Sequence, residues 1–225
     1  MQTVARHFNS EASLFDARIL KIVPHYREML EALAAALPRP SRKKLRILDL
    51  GCGTGAVSFL VKNRFPNASL HCVDLVPNML KLAAGKLRGF SGVTFEQADL
   101  RAYVPRGRYD AVVSSLALHH LATDAAKARM HRKIHRALVP GGVFANADIT
   151  VSARGRLQAY YLAKWAEFIR RSYSEADIRR NYRRYQREDR PSVLLKELRE
   201  LERIGFRRLE ILWKYCNFVT YAAYK

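Results

Sequence analysis

Long apolar runs are missing from this chain. No stretch approaches the roughly 20 residues that a membrane helix needs, and residues 1–16 hold no apolar core of a secretion signal. These absences point to a cytoplasmic protein with no membrane partner. Cysteine is scarce too: Cys52, Cys72 and Cys216 are the only three in 225 residues. They lie far apart without metal-ligand spacing, so reduced thiols are expected, with neither a disulfide framework nor a metal site. Acids are in short supply, 20 against 40 Lys plus Arg. The formal charge of +20 admits tRNA or another RNA as partner. The arginines are spread along the whole chain, however, which suits a solvated surface equally well. There is no internal repeat and no low-complexity segment. At this length one domain with a full core is the expectation.

What the chain does have is a strand–glycine loop–helix signal around which the rest is arranged. Leu45, Ile47, Leu48 and Leu50 form a short run of branched apolar residues, as in a buried parallel strand. Gly51, Gly53 and Gly55 follow at alternate positions, and Ala56 to Val61 restarts at helical spacing before Pro66. Glycine suits a sharp turn against which a ligand must come close. The G-x-G-x-G spacing with Asp49 ahead differs from the G-x-G-x-x-G of dinucleotide sites, and Ala56-Val57 stands where a nucleotide-triphosphate loop needs Lys-Ser/Thr.

Two further strands end in acids. Ser69–Asp74 places Asp74 about twenty residues past the loop, the distance at which a carboxylate can accept both hydroxyls of a ribose. Val93–Leu100 ends on Asp99-Leu100. A lone acid there is usually a turn cap; repeated at the same end of successive strands it reads as ligand-binding. Pro77 opens a helix in which Met79 is either core or a ligand contact. A fourth strand, Tyr109–Ser115, leads to Leu118-His119-His120-Leu121. Ligands of an open parallel sheet sit beyond the carboxyl ends of its strands, so Ser115, His119 and His120 belong near the site. Either histidine is a candidate for taking a substrate proton. Pro140-Gly141-Gly142 turns into a fifth strand, Val143–Asp148.

Residues 1–44 read as helical, broken at Pro24, with Pro38, Pro40 and Arg42-Lys43-Lys44 as a linker. Residues 152–200 are mostly helical and interleave tyrosines such as Tyr160, Tyr161, Tyr182 and Tyr185 with many arginines. That pattern fits a substrate lid with an anion-holding pocket, or a single-stranded RNA surface. Gly205-Phe206 opens a closing pair of strands, Arg207–Trp213 and Cys216–Tyr224.

In order, Asp49–Gly55, Asp74, Asp99, the Leu118–Leu121 stretch, Pro140-Gly141-Gly142 and the final strand pair resemble class I S-adenosylmethionine-dependent methyltransferases. The resemblance implies an α/β, Rossmann-like fold: a seven-stranded, mostly parallel sheet with helices on both faces and a C-terminal antiparallel hairpin. It divides the single domain into a helical cap (1–44), a cofactor-binding core (45–150), a helical lid (151–203) and a closing hairpin (204–225). It implies S-adenosyl-L-methionine as cofactor. Asp49 would take the methionine amino group or order the loop that does, and the Gly51-Cys52-Gly53 backbone with Gly55 would lie against the cofactor. Asp74 would hold the ribose, with Leu75 beside it at the cofactor, and Asp99 and Leu100 the adenine, with Met79 either on the adenine face or in the core and Ser115 alongside. Val23-Pro24-His25-Tyr26, Tyr173–Ile178 and Trp213–Phe218 are similar, more narrowly, to carboxy-S-adenosylmethionine synthases and their methyltransferase relatives in tRNA wobble-uridine modification. By that likeness Tyr26 reaches the cofactor. Two departures stand out: Ser115 replaces an Asn, and Tyr182 replaces an Arg that grips the extra carboxylate, with Arg183 beside it. An ordinary methyl donor and a small-molecule acceptor are therefore expected, with the synthase activity or tRNA methylation as the alternative.

Overall fold

The computed structural model describes residues 14–37 and 44–225. The proline-rich half of the linker, including Pro38, Pro40 and Arg42-Lys43, lies outside the described residues, as does most of the N-terminal stretch read as free of a signal.

Among the described residues two helices precede the sheet, α1 (Phe15–Ile22) and α2 (Tyr26–Ala35). Then come β1 (Arg46–Leu50), α3 (Ala56–Arg64), β2 (Ser69–Asp74), α4 (Pro77–Leu87), β3 (Val93–Gln97) and β4 (Tyr109–Ser115). A short 3₁₀ turn (Leu118–His120) leads to α5 (Asp124–Ala137) and β5 (Leu138–Val151). The remainder is α6 (Gly155–Ile169), α7 (Glu175–Glu188), β6 (Ser192–Val193), α8 (Leu194–Ile204), β7 (Arg207–Tyr215) and β8 (Phe218–Tyr224). The fold is the expected α/β one. Seven strands run in the order β3-β2-β1-β4-β5-β8-β7, parallel from β3 to β5 and antiparallel beyond. An eighth, the two-residue β6, pairs with the end of β5 through Thr150–Ser192. It is too short to show periodicity, so the sequence does not reveal it.

Pro140-Gly141-Gly142 does not end one element and begin another. β5 runs through it with a register shift opposite Tyr109 and Ala111. Gly141 N–H donates to Lys225 O at 3.0 Å and Lys225 N–H to Gly142 O at 2.9 Å, so the last residue holds the irregular segment in the sheet.

Local chemistry sets the helix ends. Pro77 occupies the first turn of α4. Thr123 caps α5 by accepting from Ala126 N–H, and Ser174 with Asp177 forms a reciprocal capping box on α7. Gly205, in the left-handed region at φ 113°, closes α8. Ile47, Cys72, Val113 and Ala145 bury one sheet face under α2 and α3, while Leu48, Leu50, Val112 and Phe144 bury the other under α5 and α8. Among the described residues no helix is long and apolar enough to cross a membrane.

One buried cation ties the edge of the core together. Lys62 is fully buried, and its Nζ donates to Pro66 O (2.6 Å), Ala68 O (2.7 Å) and Ser91 O (2.9 Å). Replacing it leaves these carbonyls without their donor. Lys62→Met is expected to lower the unfolding free energy by about 2–4 kcal/mol, measured by urea denaturation.

Candidate functional site

The order β3-β2-β1 winds one way from β1, and β4-β5 the other. Such a reversal opens a crevice beyond the strand ends, and two adjoining cavities occupy it.

The first is lined by the glycine loop, the ends of β2 and β4, and residues of α1, α2 and α4. Gly51, Gly53 and Gly55 all have positive φ (71°, 54° and 82°). A Cβ on Gly51 would stand 2.3 Å from the Ala117 Cβ, so the loop can pass the end of β4 only with no side chain there. A Cβ on Gly53 would meet no atom of the described residues within 4 Å, so the space beside this lining residue is open. The loop is held by Asp74. Gly53 N–H donates to one carboxylate oxygen at 2.8 Å and Val76 N–H to the other at 2.9 Å. Burial raises the Asp74 pKa against these bonds.

Asp49 lies under the loop, 1% exposed. Its Oδ2 accepts from Ser58 Oγ at 2.6 Å, and its Oδ1 has no partner among the described residues. Ser115 Oγ is buried and unpartnered in the same sense. A buried polar atom without a partner costs about 1–3 kcal/mol, and both residues line the same cavity. Burial, reinforced by the charge of Asp74 and opposed by the Ser58 bond, raises the Asp49 pKa to about 7. Tyr26 lines the same cavity, and burial, then the charges of Asp16 and Asp49, push its hydroxyl pKa up and keep it a donor. Thr54 Oγ1 and Lys86 Nζ bond Asp16 at 2.5 and 2.7 Å, tying α1 to the loop and α4.

Of the residues proposed from sequence for this site, Tyr26, Asp49, Gly51, Cys52, Gly53, Asp74, Leu75, Met79, Leu100 and Ser115 line the cavity. Two stand elsewhere. Gly55 is outside the lining, with Ala83 of α4 about where its Cβ would be met, at 3.1 Å. Asp99 lies beyond the end of β3, and Arg101 takes its carboxylate by Nε and Nη2 at 2.8 and 2.5 Å, which holds its pKa down. Phe15, Thr54, Val76, Leu116 and Ala117 join the lining with no signal in the sequence to mark them.

The second cavity, about 160 Å³, shares Phe15, Leu116 and His120 with the first. Its walls are largely apolar and aromatic: Ile22, Tyr161, Trp165, Tyr185, Tyr215 and Phe218. Trp165 Nε1 donates to Ile22 O at 2.8 Å, fastening α6 over α1. The polar end is made by His119, His120 and Asp189, with Arg18 and Arg184 also on the wall. His119 Nδ1 bonds Asp148 Oδ1, and its Nε2 faces Asp189 Oδ1 at 3.5 Å. Burial disfavours the charged imidazole, but the Asp148 and Asp189 carboxylates outweigh it and raise the His119 pKa to about 10. The same two carboxylates disfavour the ring as a proton acceptor. Tyr182 lines neither cavity; it stacks on Tyr185 with centroids 6.1 Å apart, and Arg183 beside it is exposed.

Residues 47–142 match the family model of a methyltransferase domain. The chain is 27% identical to the carboxy-S-adenosyl-L-methionine synthase of a Nitratiruptor species, over 95% of this chain and 90% of that one. It is 30% identical to malonyl-[acyl-carrier protein] O-methyltransferase 1 of Ilyobacter polytropus, over 50% of this chain and 40% of that one. The solved DhpI–SAM–HEP complex superposes with a TM-score of 0.67 at 20% identity, covering 100% of this chain and 96% of its own.

Proposed function

We propose, from the premise that the chain carries a methyltransferase domain and is an S-adenosylmethionine-dependent enzyme, that it transfers the methyl group to a small molecule held in the aromatic cavity. The observation that carries this reading is the buried, unpartnered Oδ1 of Asp49, a lining residue of a cavity that shares Phe15, Leu116 and His120 with the second one. The donor set fits the cofactor: Asp49 to take an ammonium, Asp74 to accept a diol, and open space over Gly53 for a ligand to approach the backbone. The cofactor supplies a methyl group already activated as a sulfonium. What is left to the chain is alignment, which can supply about 7–11 kcal/mol of a barrier. Tyr161, Trp165 and Tyr185 would grip the acceptor, in a space comparable to the roughly 150 Å³ cavities that hold one aromatic ring. His119 and His120 form its polar end.

A plain methyl donor is favoured over a carboxylated one because Tyr182, which lines neither cavity, stands where the resemblance places the Arg that pairs the extra carboxylate. Arg18 and Arg184 on the wall of the acceptor cavity, where a carboxylate on the transferred group would lie, favour the other reading. The second reading, carboxy-S-adenosylmethionine synthesis, draws on the near full-length likeness to the Nitratiruptor protein. Mass spectrometry of small molecules released from the denatured, purified protein separates the two. S-adenosylmethionine or its demethylated product is expected. The carboxylated cofactor would overturn the reading.

The state of Asp49 gives a pH signature. Only its ionised form pairs with an ammonium, so ligand binding should pull protons off it. With a free-protein pKa of about 7, cofactor affinity should fall roughly 25-fold from about pH 7.5 to about pH 5.5 in isothermal titration, given a bound-state pKa below that range. Asp49→Asn should bind more weakly and flatten the profile.

A further inference from the structure

The polar end of the acceptor cavity has a composition that neither methyl transfer nor the apolar walls require. Two adjacent histidines of the 3₁₀ turn and Asp189, just past α7, bring one donor atom each to a common point. His119 Nε2 is 3.5 Å and His120 Nδ1 3.2 Å from Asp189 Oδ1, and all three donors lie within 4.8 Å of one another. Four ligands at about 2.0–2.1 Å from a tetrahedral first-row ion stand about 3.3–3.4 Å apart, so both edges to Asp189 match that spacing closely.

The surroundings are those of a ligand set. His119 Nδ1 bonds Asp148, whose carboxylate also accepts from His119 N–H at 3.2 Å and Ile149 N–H at 2.8 Å. Asp148 therefore fixes the ring with Nε2 turned to the common point. A carboxylate behind a metal-binding histidine has this arrangement and this effect. Arg190 N–H donates to His119 O at 2.8 Å, clamping the segment that carries Asp189 onto the turn that carries the histidines.

We propose that His119, His120 and Asp189 form a site for a first-row divalent cation, Zn²⁺ being the first candidate for two imidazoles and a carboxylate. Its remaining positions face the acceptor cavity, so the site would select acceptors that offer an oxygen donor, a hydroxyl or carboxylate. This deepens the methyl-transfer reading and rests on it only for what the ion would bind.

The test is binding rather than turnover. The full chain, stripped with chelator, is titrated with Co²⁺ and followed by its visible d–d absorption. The expected result is one Co²⁺ per chain, with the intense bands of low coordination, displaced by Zn²⁺ and absent in Asp189→Asn. A spectrum no stronger than that of aqueous Co²⁺, or one retained in Asp189→Asn, overturns the proposal. Should Asp189→Asn fail to fold, anomalous scattering from Co²⁺-loaded crystals of the parent protein decides: an ion between the three donors supports the site, and an ion elsewhere or none rejects it. Titration of the same samples with S-adenosylmethionine reports separately on the cofactor reading, which stands or falls without the metal.

Discussion

Gly51→Val is expected to abolish measurable cofactor binding, a loss of at least about 100-fold, and to lower stability by roughly 2–4 kcal/mol. Two penalties coincide at this residue. Its φ of 71° is in the left-handed region, which a β-branched side chain enters only with strain. Its Cβ would also sit 2.3 Å from that of Ala117, a distance that no rotamer relieves because both atoms are bonded to backbone. The end of β1 or the end of β4 must move, and the cavity lies between them. Gly53→Ala is the informative contrast. Its φ of 54° costs about 1–2 kcal/mol, but no atom of the described residues lies within 4 Å of the new methyl. Its stability should fall by less than that of Gly51→Val, and its cofactor affinity should still collapse, because the methyl occupies the ligand's space. Thermal unfolding with and without S-adenosylmethionine reads both effects; equal behaviour of the two variants would contradict this account.

Asp74→Ala should weaken S-adenosylmethionine binding by about 100-fold in isothermal titration. A hydrogen bond to a charged group contributes about 1.5–3 kcal/mol, and two bonds from a diol to this carboxylate reach that loss at the lower end of the range. Asp74 also anchors the loop through Gly53 N–H and the start of α4 through Val76 N–H. The alanine variant therefore loosens the wall that it strips. Asp74→Asn keeps one carbonyl oxygen and should lose less, about tenfold. An unchanged affinity in Asp74→Ala would sink the cofactor assignment itself.

The parts of the site legible in the sequence are those made by one strand end and the turn after it. Asp49, the glycine loop, Asp74 and Ser115 follow from strand and loop spacing, because a parallel sheet aligns its carboxyl ends. Asp99 shows where that logic stops. It has the same strand-end position, but Arg101, two residues on, reaches back and takes the carboxylate. A local pairing competes with a ligand role, and periodicity does not register it. Phe15 and Leu116 reach the cavities through packing between segments distant in sequence. So does Asp189, whose place beside His119 depends on the turn after α7 and the Arg190 bond. The course of β5 through Pro140-Gly141-Gly142 is hidden for a similar reason: the partner that holds it is Lys225, at the other end of the chain.

The two cavities differ in how they are assembled. Among the described residues, and apart from Phe15 and Tyr26, the proposed cofactor cavity comes from residues 49–120, whereas the proposed acceptor cavity gathers residues from 15 to 218. Among these residues only Phe15, Leu116 and His120 serve both. Substitutions in α6, α7 or the β7–β8 turn can therefore reshape one without touching the other. Seen as a lineage rather than a molecule, this is a scaffold that can change its substrate by drift in its later helices while its donor chemistry stays under separate selection.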